Sequence, residues 1–186
     1  WLMTDDAHGI GVVGKGRGSS FVTGEKADVP LQMGTLSKAI GSYGGYLCAS
    51  KAVCEFLRNR ARTFVFSTGL MPAAIAAAIA ALDVIEGNPD YAALPMQKAQ
   101  SFTRALNLAP ATSPIVPLIL GDEEETLAAS ALLEAEGFLV TAIRPPTVPK
   151  GTARLRFTFT AQHDDADIAR LAHLVRDKIL PRNAAQ

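Results

Sequence analysis

Cysteine, aromatic residues and net charge are all scarce in this chain of 186 residues. The two cysteines, Cys48 and Cys54, have no metal-type spacing, so we expect reduced structural thiols and no metal site. No apolar run is long enough to cross a bilayer, which excludes a membrane-spanning helix. The formal net charge is zero, which leaves no bulk attraction to nucleic acid or to a membrane surface. With 48% hydrophobic residues, the composition predicts a soluble, cytoplasmic globular protein.

One lysine, Lys38, lies in a segment of small and hydroxyl-bearing residues that spans positions 34–45. An amine in such surroundings can approach the aldehyde of pyridoxal phosphate (PLP), while nearby hydroxyls and amides hold the phosphate. Upstream, the chain carries Asp5, Asp6 and His8. A carboxylate facing the pyridine nitrogen keeps that nitrogen protonated, so the ring can accept an electron pair. The two segments together predict PLP as the cofactor.

Each segment also has an ordinary structural interpretation. A lone lysine in a glycine-rich turn is usually a solvated surface residue, and a pair of aspartates usually caps a helix or ends a strand. However, residues 2–4 and 31–35 have the pattern of buried strands that end just before these polar groups. Ligands bind at the carboxyl ends of strands in open α/β sheets. That placement favours the cofactor interpretation.

Several short motifs resemble those of a known family, the α-oxoamine synthases. They are residues 5–11, 16–19, 35–38, 66–68 and 151–156, and the likeness covers nearly the whole chain. Members of that family are fold type I PLP enzymes that condense an amino acid with an acyl-CoA and release carbon dioxide. The resemblance therefore implies a PLP-dependent acyltransferase with the α/β fold of the type I transferases.

One segment narrows the resemblance. Residues 140–149, followed by 151–154, resemble the members that condense L-alanine with pimeloyl-CoA in biotin biosynthesis, giving 8-amino-7-oxononanoate, CoA and carbon dioxide. Two alternatives stay open: a glycine-using acyltransferase of the 2-amino-3-ketobutyrate CoA ligase or 5-aminolevulinate synthase type, and a noncatalytic subunit that only assembles with an active partner. The presence of Lys38, Asp5 and His8 argues against the second, since a purely structural subunit has no physical need for them.

The resemblance also implies that the chain is a carboxyl-terminal half. It begins inside a strand at Trp1, without an initiating methionine, and the family's members are longer. The part expected to be missing carries the glycine-rich phosphate loop and the histidine that stacks on the pyridine ring. We therefore expect the fragment alone to be inactive.

The patterning predicts two parts. Residues 1–90 are expected to form the carboxyl-terminal part of the PLP-binding large domain, with part of its sheet, and residues 91–186 a small α+β domain. The expected strands are residues 2–4, 31–35, 46–49, 115–120, 139–142 and 154–160, with a β-rich segment at 63–66, and the expected helices are residues 51–62, 72–85, 92–108, 123–136 and 164–180.

Roles at the site follow from the resemblance. Lys38 is the catalytic residue that binds the cofactor, and Asp5 faces the ring nitrogen. Because adjacent strand residues point to opposite faces, Asp6 cannot share that role. His8 resembles the histidine that hydrogen-bonds the cofactor O3′. Taken alone, a histidine after a strand more often satisfies local backbone groups.

Three hydroxyls resemble the family's phosphate contacts: Thr35, together with Ser67 and Thr68 of the partner subunit. As isolated residues they would more often belong to turns or caps. The partner's contribution implies a homodimer with shared active sites. Residues 14–19 are glycine-rich but lack the order of a P-loop, so we interpret them as a flexible connection near the site.

Arginines supply the expected substrate contacts. In residues 154–160 the apolar and polar side chains alternate, which predicts one core face and one polar face. The resemblance assigns Arg156 to the α-carboxylate of the amino acid, which a guanidinium binds bidentately. The alternative is that Arg154 and Arg156 only solvate an edge strand. Arg144 precedes two prolines in a stiff turn, where we hypothesise that it binds the distal carboxylate of pimeloyl-CoA; a surface role is the alternative.

Overall fold

A computed structural model describes residues 1–180, which form two compact units that divide between Ala93 and Leu94. The last six residues of the expected second domain lie outside the described residues. In chain order the elements are β1 (Met3–Asp5), a 3₁₀ turn (Ser19–Phe21), β2 (Leu31–Thr35), β3 (Gly45–Cys48), α1 (Lys51–Arg60), α2 (Arg62–Val65), α3 (Pro72–Gly87), α4 (Pro89–Ala105), β4 (Ile115–Gly121), α5 (Glu123–Ala135), β5 (Thr141–Ile143), β6 (Ala153–Thr158), α6 (Asp165–Leu174) and a π-helical turn (Val175–Ile179).

The first unit is built on a three-stranded sheet with the order β1-β2-β3. β1 runs parallel to β2, with Asp5 opposite Met33, and β3 runs antiparallel to β2, with Tyr46 opposite Gly34. The three strands predicted in this part of the sequence are confirmed. β2 is the middle strand, so it pairs with β1 on one side and with β3 on the other.

The helices of the first unit begin and end at the signals that their sequence carries. The Ser50 hydroxyl accepts a hydrogen bond from the Val53 N–H and caps α1. Pro72 opens α3 and Gly87 ends it, as the asymmetry of helix termini predicts. The β-rich segment expected at residues 63–66 is wrong, because α2 occupies it.

Local hydrogen bonds explain that difference. The N–H groups of Val65 and Phe66 donate to the carbonyls of Ala61 and Arg62. In the part of the chain that the structure describes, no strand lies beside this segment to complete a ladder. Aromatic and β-branched residues favour strands only when a neighbouring strand packs against them. Without one, the helical turn satisfies more backbone groups.

Apolar side chains are distributed very unevenly between the two units. Among the described residues of the first unit, only Val29, Ile40 and Ala78 are buried hydrophobic side chains. Trp1 and Phe66 are 91% and 80% exposed. Exposed apolar surface on this scale is typical of a surface that contacts other molecules.

The second unit has a conventional core between one sheet and its helices. Its sheet has the order β4-β6-β5 with antiparallel pairing throughout. Leu155, Phe157 and Phe159 are buried, while Arg156 and Thr158 are exposed, so the predicted alternation is confirmed. The edge-strand alternative is wrong, because β6 is the central strand. Within residues 1–180, no helix is long and apolar enough to span a membrane.

Phe102 of α4 lies at the centre of this core. It is completely buried, with its ring 4.8 Å from that of Phe157 and 5.2 Å from that of Phe159, measured between centroids. Both ring pairs are tilted, which is a favourable arrangement for aromatic quadrupoles. The amphipathic α5 and α6 supply the remaining wall of the core, which includes Leu133, Ile168 and Ala172.

Candidate active site

The parallel pairing of β1 and β2 brings two predicted site segments to one edge of the first unit's sheet. Asp5 ends β1 and Thr35 ends β2, and both strands run in the same direction. The Asp6 N–H extends the pairing by donating to the Met33 carbonyl at 2.7 Å. Lys38 follows three residues after Thr35. The carboxylate and the amine proposed to face one cofactor therefore emerge from neighbouring strand ends.

Strand alternation separates the two aspartates. Residues paired in register point to the same face of a sheet, and successive residues of one strand point to opposite faces. Asp5, Met33 and Thr35 therefore share one face, which we call the site face. Asp5 is exposed there, and within residues 1–180 its side chain accepts a hydrogen bond only from the Ala7 N–H, at 2.8 Å. Asp5 is thus the carboxylate that a ligand at this edge can reach.

Asp6 points to the opposite face, which we call the reverse face. It is only 4% exposed, and its Oδ1 accepts a hydrogen bond from the Ser19 N–H at 2.7 Å. Tyr46 lies on this face against Gly34, where a Cβ would stand 2.4 Å from the tyrosine oxygen. Burial raises the pKa of the Tyr46 hydroxyl, and the charges of Asp6 and Cys48 raise it further. Asp6 and Tyr46 therefore lie on the opposite side of the sheet from Asp5 and Thr35.

The loop that carries Lys38 is closed by its own backbone. The Leu36 N–H donates to the Gly44 carbonyl at 2.8 Å, and the Ser42 N–H donates to the Leu36 carbonyl at 2.7 Å. The Gly41 N–H donates to the carbonyl of Lys38 itself, at 2.9 Å. The Lys38 side chain is exposed and has no hydrogen bond or ion pair with any residue of 1–180. Its amine is therefore free to react.

Thr35 fastens the base of this loop. Its hydroxyl donates to the Gly44 carbonyl at 3.0 Å, and its Oγ1 accepts a hydrogen bond from the Ser37 N–H at 3.2 Å. Because that donor hydrogen is used, the Ser37 hydroxyl is the donor in the 2.8 Å contact between the two side chains. Ser42 ties the other side of the loop to the Ala74 carbonyl of α3, at 2.6 Å. The loop is held at both ends while Lys38 remains exposed.

The other predicted cofactor contacts are less constrained. His8 is exposed, and its imidazole has no partner among the described residues. Ser67 and Thr68 follow α2 and are exposed. The Ser67 hydroxyl donates to the Thr63 carbonyl, and neither hydroxyl bonds to the Lys38 loop within residues 1–180. Asp5 and Thr35 therefore end neighbouring strands, and His8 and Lys38 follow them by three residues each. The cofactor roles of these four residues, like those of Ser67 and Thr68, stay predictions.

The predicted substrate arginines belong to the second unit and differ in what they contact. Arg156 is exposed on the outer face of β6, beside Pro117 and Thr141, and has no polar partner in the described chain. Arg154 is partly buried, and its Nε–H donates to the Thr152 carbonyl at 2.9 Å. The guanidinium of Arg156 is thus entirely available, whereas part of the Arg154 guanidinium is committed to the backbone.

Arg144 is exposed where β5 ends. Its carbonyl accepts a hydrogen bond from the Thr147 N–H at 3.0 Å, which closes a turn around the two prolines. Its guanidinium has no hydrogen bond or ion pair with residues 1–180. The turn therefore fixes the backbone of Arg144 and leaves its charge free for a ligand.

The residues at the sheet edge match the chemistry of PLP. A free amine, an accessible carboxylate and an unpartnered imidazole are what its aldehyde, ring nitrogen and ring hydroxyl require. No group of metal-ligating side chains occurs in the described part of the chain. Sequence reasoning excluded Asp6 from the ring nitrogen but did not predict its buried bond to Ser19, and it did not identify Tyr46. The signal for Tyr46 was Gly34, because a glycine inside a strand often marks a close approach of another group.

Comparison with protein families identifies the same chemistry. The model of the class I and II aminotransferases matches residues 1–175 of this chain. That family is PLP-dependent, in agreement with the cofactor predicted from Lys38 and Asp5. The α/β class predicted from the sequence is also confirmed by this match and by the mixed sheets and helices of both units.

Individual relatives and solved structures carry two different enzyme names. A Parvibaculum lavamentivorans protein, provisionally named 8-amino-7-oxononanoate synthase, is 75% identical over all of this chain, which covers 48% of that protein. The solved 8-amino-7-oxononanoate synthase of Francisella tularensis matches 98% of the chain and 56% of its own, with 25% identity and a TM-score of 0.83. A serine palmitoyltransferase of S. paucimobilis with a bound PLP–myriocin aldimine matches 94% and 46%, with 25% identity and a TM-score of 0.84. The chain thus spans about half the length of the curated relatives it matches.

Proposed function

Since this chain belongs to the class I and II aminotransferase family, we propose that it supplies the lysine-bearing part of a PLP-dependent synthase that condenses L-alanine with pimeloyl-CoA. The products are 8-amino-7-oxononanoate, CoA and carbon dioxide. The observation that carries the proposal is the parallel register of β1 and β2, which places Asp5 and the Lys38 loop at one sheet edge. The choice of alanine and pimeloyl-CoA as substrates is supported by the 75% identity to a relative provisionally named 8-amino-7-oxononanoate synthase.

Each predicted cofactor contact has a proposed task. When bound, PLP supplies an electron sink for the pair released at the α-carbon of the amino acid. The Lys38 amine would hold the cofactor and would carry the proton to and from the α-carbon of the amino acid. The Asp5 carboxylate would keep the ring nitrogen protonated. His8 would bond the ring hydroxyl, and Thr35, with Ser67 and Thr68 of the partner subunit, would hold the phosphate.

Arg156 holds the substrate. A guanidinium with no competing carboxylate can bind the α-carboxylate of alanine through two parallel hydrogen bonds. The central position of β6 supports this role, because the strand is fixed on both sides by antiparallel pairing. A side chain on such a strand is more precisely placed than one on a loop.

Activity requires more polypeptide than this chain. We propose that the remaining half found in the longer relatives, and a second subunit in a homodimer, cover the apolar surface that includes Trp1 and Phe66. The chain alone is expected to be inactive, because half of a cofactor cradle cannot exclude water from the reacting atoms. We also propose a cytoplasmic location for the assembled enzyme, which the balanced charge of this chain supports.

A chimera tests this function. It joins this chain, in native order, to the part of the Parvibaculum lavamentivorans relative that the chain does not match. We expect the chimera, but not the chain alone, to release CoA with L-alanine and pimeloyl-CoA. Turnover only with glycine and acetyl-CoA or succinyl-CoA would contradict the proposal and support the glycine-using alternative. A chimera that binds PLP and turns over no pair would support the noncatalytic alternative.

Replacing Arg144 by alanine tests the acyl-chain contact. We expect the KM for pimeloyl-CoA to rise about tenfold with little change in kcat, because a charge-assisted hydrogen bond present in both ground and transition states is lost. The KM for L-alanine should not change. Arg104→Ala, which removes an exposed arginine from α4, is the matched control. Normal kinetics with pimeloyl-CoA in the Arg144 variant would remove the hypothesis.

A further inference from the structure

Asp6 joins three separate segments around the site. Its N–H donates to the Met33 carbonyl of β2 at 2.7 Å. Its carbonyl accepts hydrogen bonds from the N–H groups of Gly9 and Ile10, at 2.9 and 3.1 Å, and so closes a tight turn. Its carboxylate accepts the Ser19 N–H from thirteen residues away, at 2.7 Å. One buried residue therefore connects the strand, the turn and the far end of the following loop.

Two glycines make room for this carboxylate. A Cβ at Gly9 would stand 2.1 Å from Asp6 Oδ1, and a Cβ at Gly18 would stand 2.9 Å from Asp6 Oδ2. Gly18 also has a φ of 97°, which side-chain-bearing residues rarely adopt, whereas Gly9 has no such requirement. Space for the Asp6 side chain is thus the main structural reason for glycine at position 9.

His8 lies inside the turn that Asp6 closes. The turn is held by hydrogen bonds between Asp6 and the two residues that follow His8. Ile10 and Arg17 form an antiparallel bridge across the loop that follows the turn. The hydrogen bond from the Ser19 N–H to the Asp6 carboxylate then ties the far end of this loop back to the end of β1. Because the imidazole has no partner of its own among the described residues, its position depends on the backbone of this turn.

We propose that Asp6 is a positioning residue: its carboxylate, on the reverse face, fixes the turn that places His8 on the cofactor side of the sheet edge. The inference rests on the proposed function for the meaning of His8, but the hold of Asp6 on the turn can be measured without the cofactor. Asp5 and Asp6 then have different tasks: Asp5 faces the ligand, and Asp6 fixes the loop beside it.

Hydrogen exchange and NMR of the cofactor-free chimera test the hold directly. In Asp6→Ala we expect the Ser19 amide to exchange about tenfold faster or more, because a hydrogen bond to a charged group is lost. The His8 ring-proton resonance, assigned with a His8→Gln variant, should move from its wild-type position. Asp6→Asn keeps an acceptor oxygen and should change exchange less than about threefold. Asp83→Ala, an exposed aspartate of α3, is the control and should change neither.

A double-mutant cycle tests whether Gly9 and Asp6 act through one contact. Gly9→Ala alone should disturb the turn as Asp6→Ala does, because the new methyl group collides with Oδ1. In the Asp6→Ala background the same substitution meets no carboxylate and should add less than about twofold to the exchange rate. Full additivity of the two effects would show that the contact does not exist and would overturn the proposal.

The loaded chimera separates positioning from a merely structural role. If Asp6 positions His8, Asp6→Ala should shift the pH midpoint of the absorbance of bound PLP and lower kcat, and Asp6→Asn should restore both. Faster exchange with an unchanged midpoint and an unchanged kcat would assign Asp6 to loop stability alone and overturn the proposal. If the chimera bound no PLP, the proposed function would fail, while exchange and the His8 resonance would still decide whether Asp6 fixes the turn.

Discussion

Replacing Lys38 with alanine in the chimera is expected to abolish synthesis of 8-amino-7-oxononanoate. The amine has two tasks, holding the cofactor and moving the α-proton, and the loss of proton transfer alone costs on the order of 10²–10⁴-fold in rate. We expect no other lysine to substitute, because among the described residues Lys38 is the lysine in the closed loop that follows β2, the strand paired with the one that Asp5 ends. The measurement is kcat for CoA release under saturating alanine and pimeloyl-CoA.

Lys26→Ala is the matched control for this variant. Lys26 is another exposed lysine of the first unit, and its removal changes the net charge by the same amount. The control should keep wild-type kcat and the wild-type visible absorbance of bound PLP. A Lys38→Ala enzyme that retained more than about a tenth of the rate would show that a different amine carries the chemistry.

Phe102→Ala should remove much of the stability of the second unit. The ring is completely buried between Phe157 and Phe159, so truncation loses its burial, leaves a cavity and breaks two aromatic contacts. We expect the free energy of unfolding to fall by about 3–5 kcal/mol. Native-state hydrogen exchange of the slowest amides in β6 reports this unit separately from the first.

Leu139→Ala is the control for the core variant. Leu139 is 89% exposed, so its truncation changes the buried area little and should change stability by less than about 0.5 kcal/mol. A loss below about 1 kcal/mol in Phe102→Ala would contradict the packing described for this core.

Strong periodic patterns made much of the fold predictable. The alternation in residues 154–160 predicted both a strand and its buried face, because period two has a direct physical meaning. Pro72 and Gly87 bounded α3 for equally local reasons. The helical turn at residues 62–65 was not predictable from propensity, since the preference for a strand depends on a neighbour that sequence does not reveal.

At the site, too, local patterns were predictable and contacts between distant segments were not. Asp5 and Lys38 could be identified because each follows a recognisable strand and because their motifs resemble one family. The central position of β6 could not be predicted, since strand order depends on pairing between distant segments. The role of Asp6 was missed for a similar reason, because its partner Ser19 lies thirteen residues away and the contact exists only after the loop has folded.

The proposed enzyme requires that the carboxyl ends of β1 and β2 present Lys38 to PLP. Borohydride reduction of the PLP-loaded chimera, followed by peptide mass analysis, measures this directly, because reduction makes the bond between cofactor and amine permanent. We predict a phosphopyridoxyl group on the peptide that contains Lys38 and on no other lysine peptide. A group attached to a different lysine, or no attachment at saturating PLP, would contradict the account.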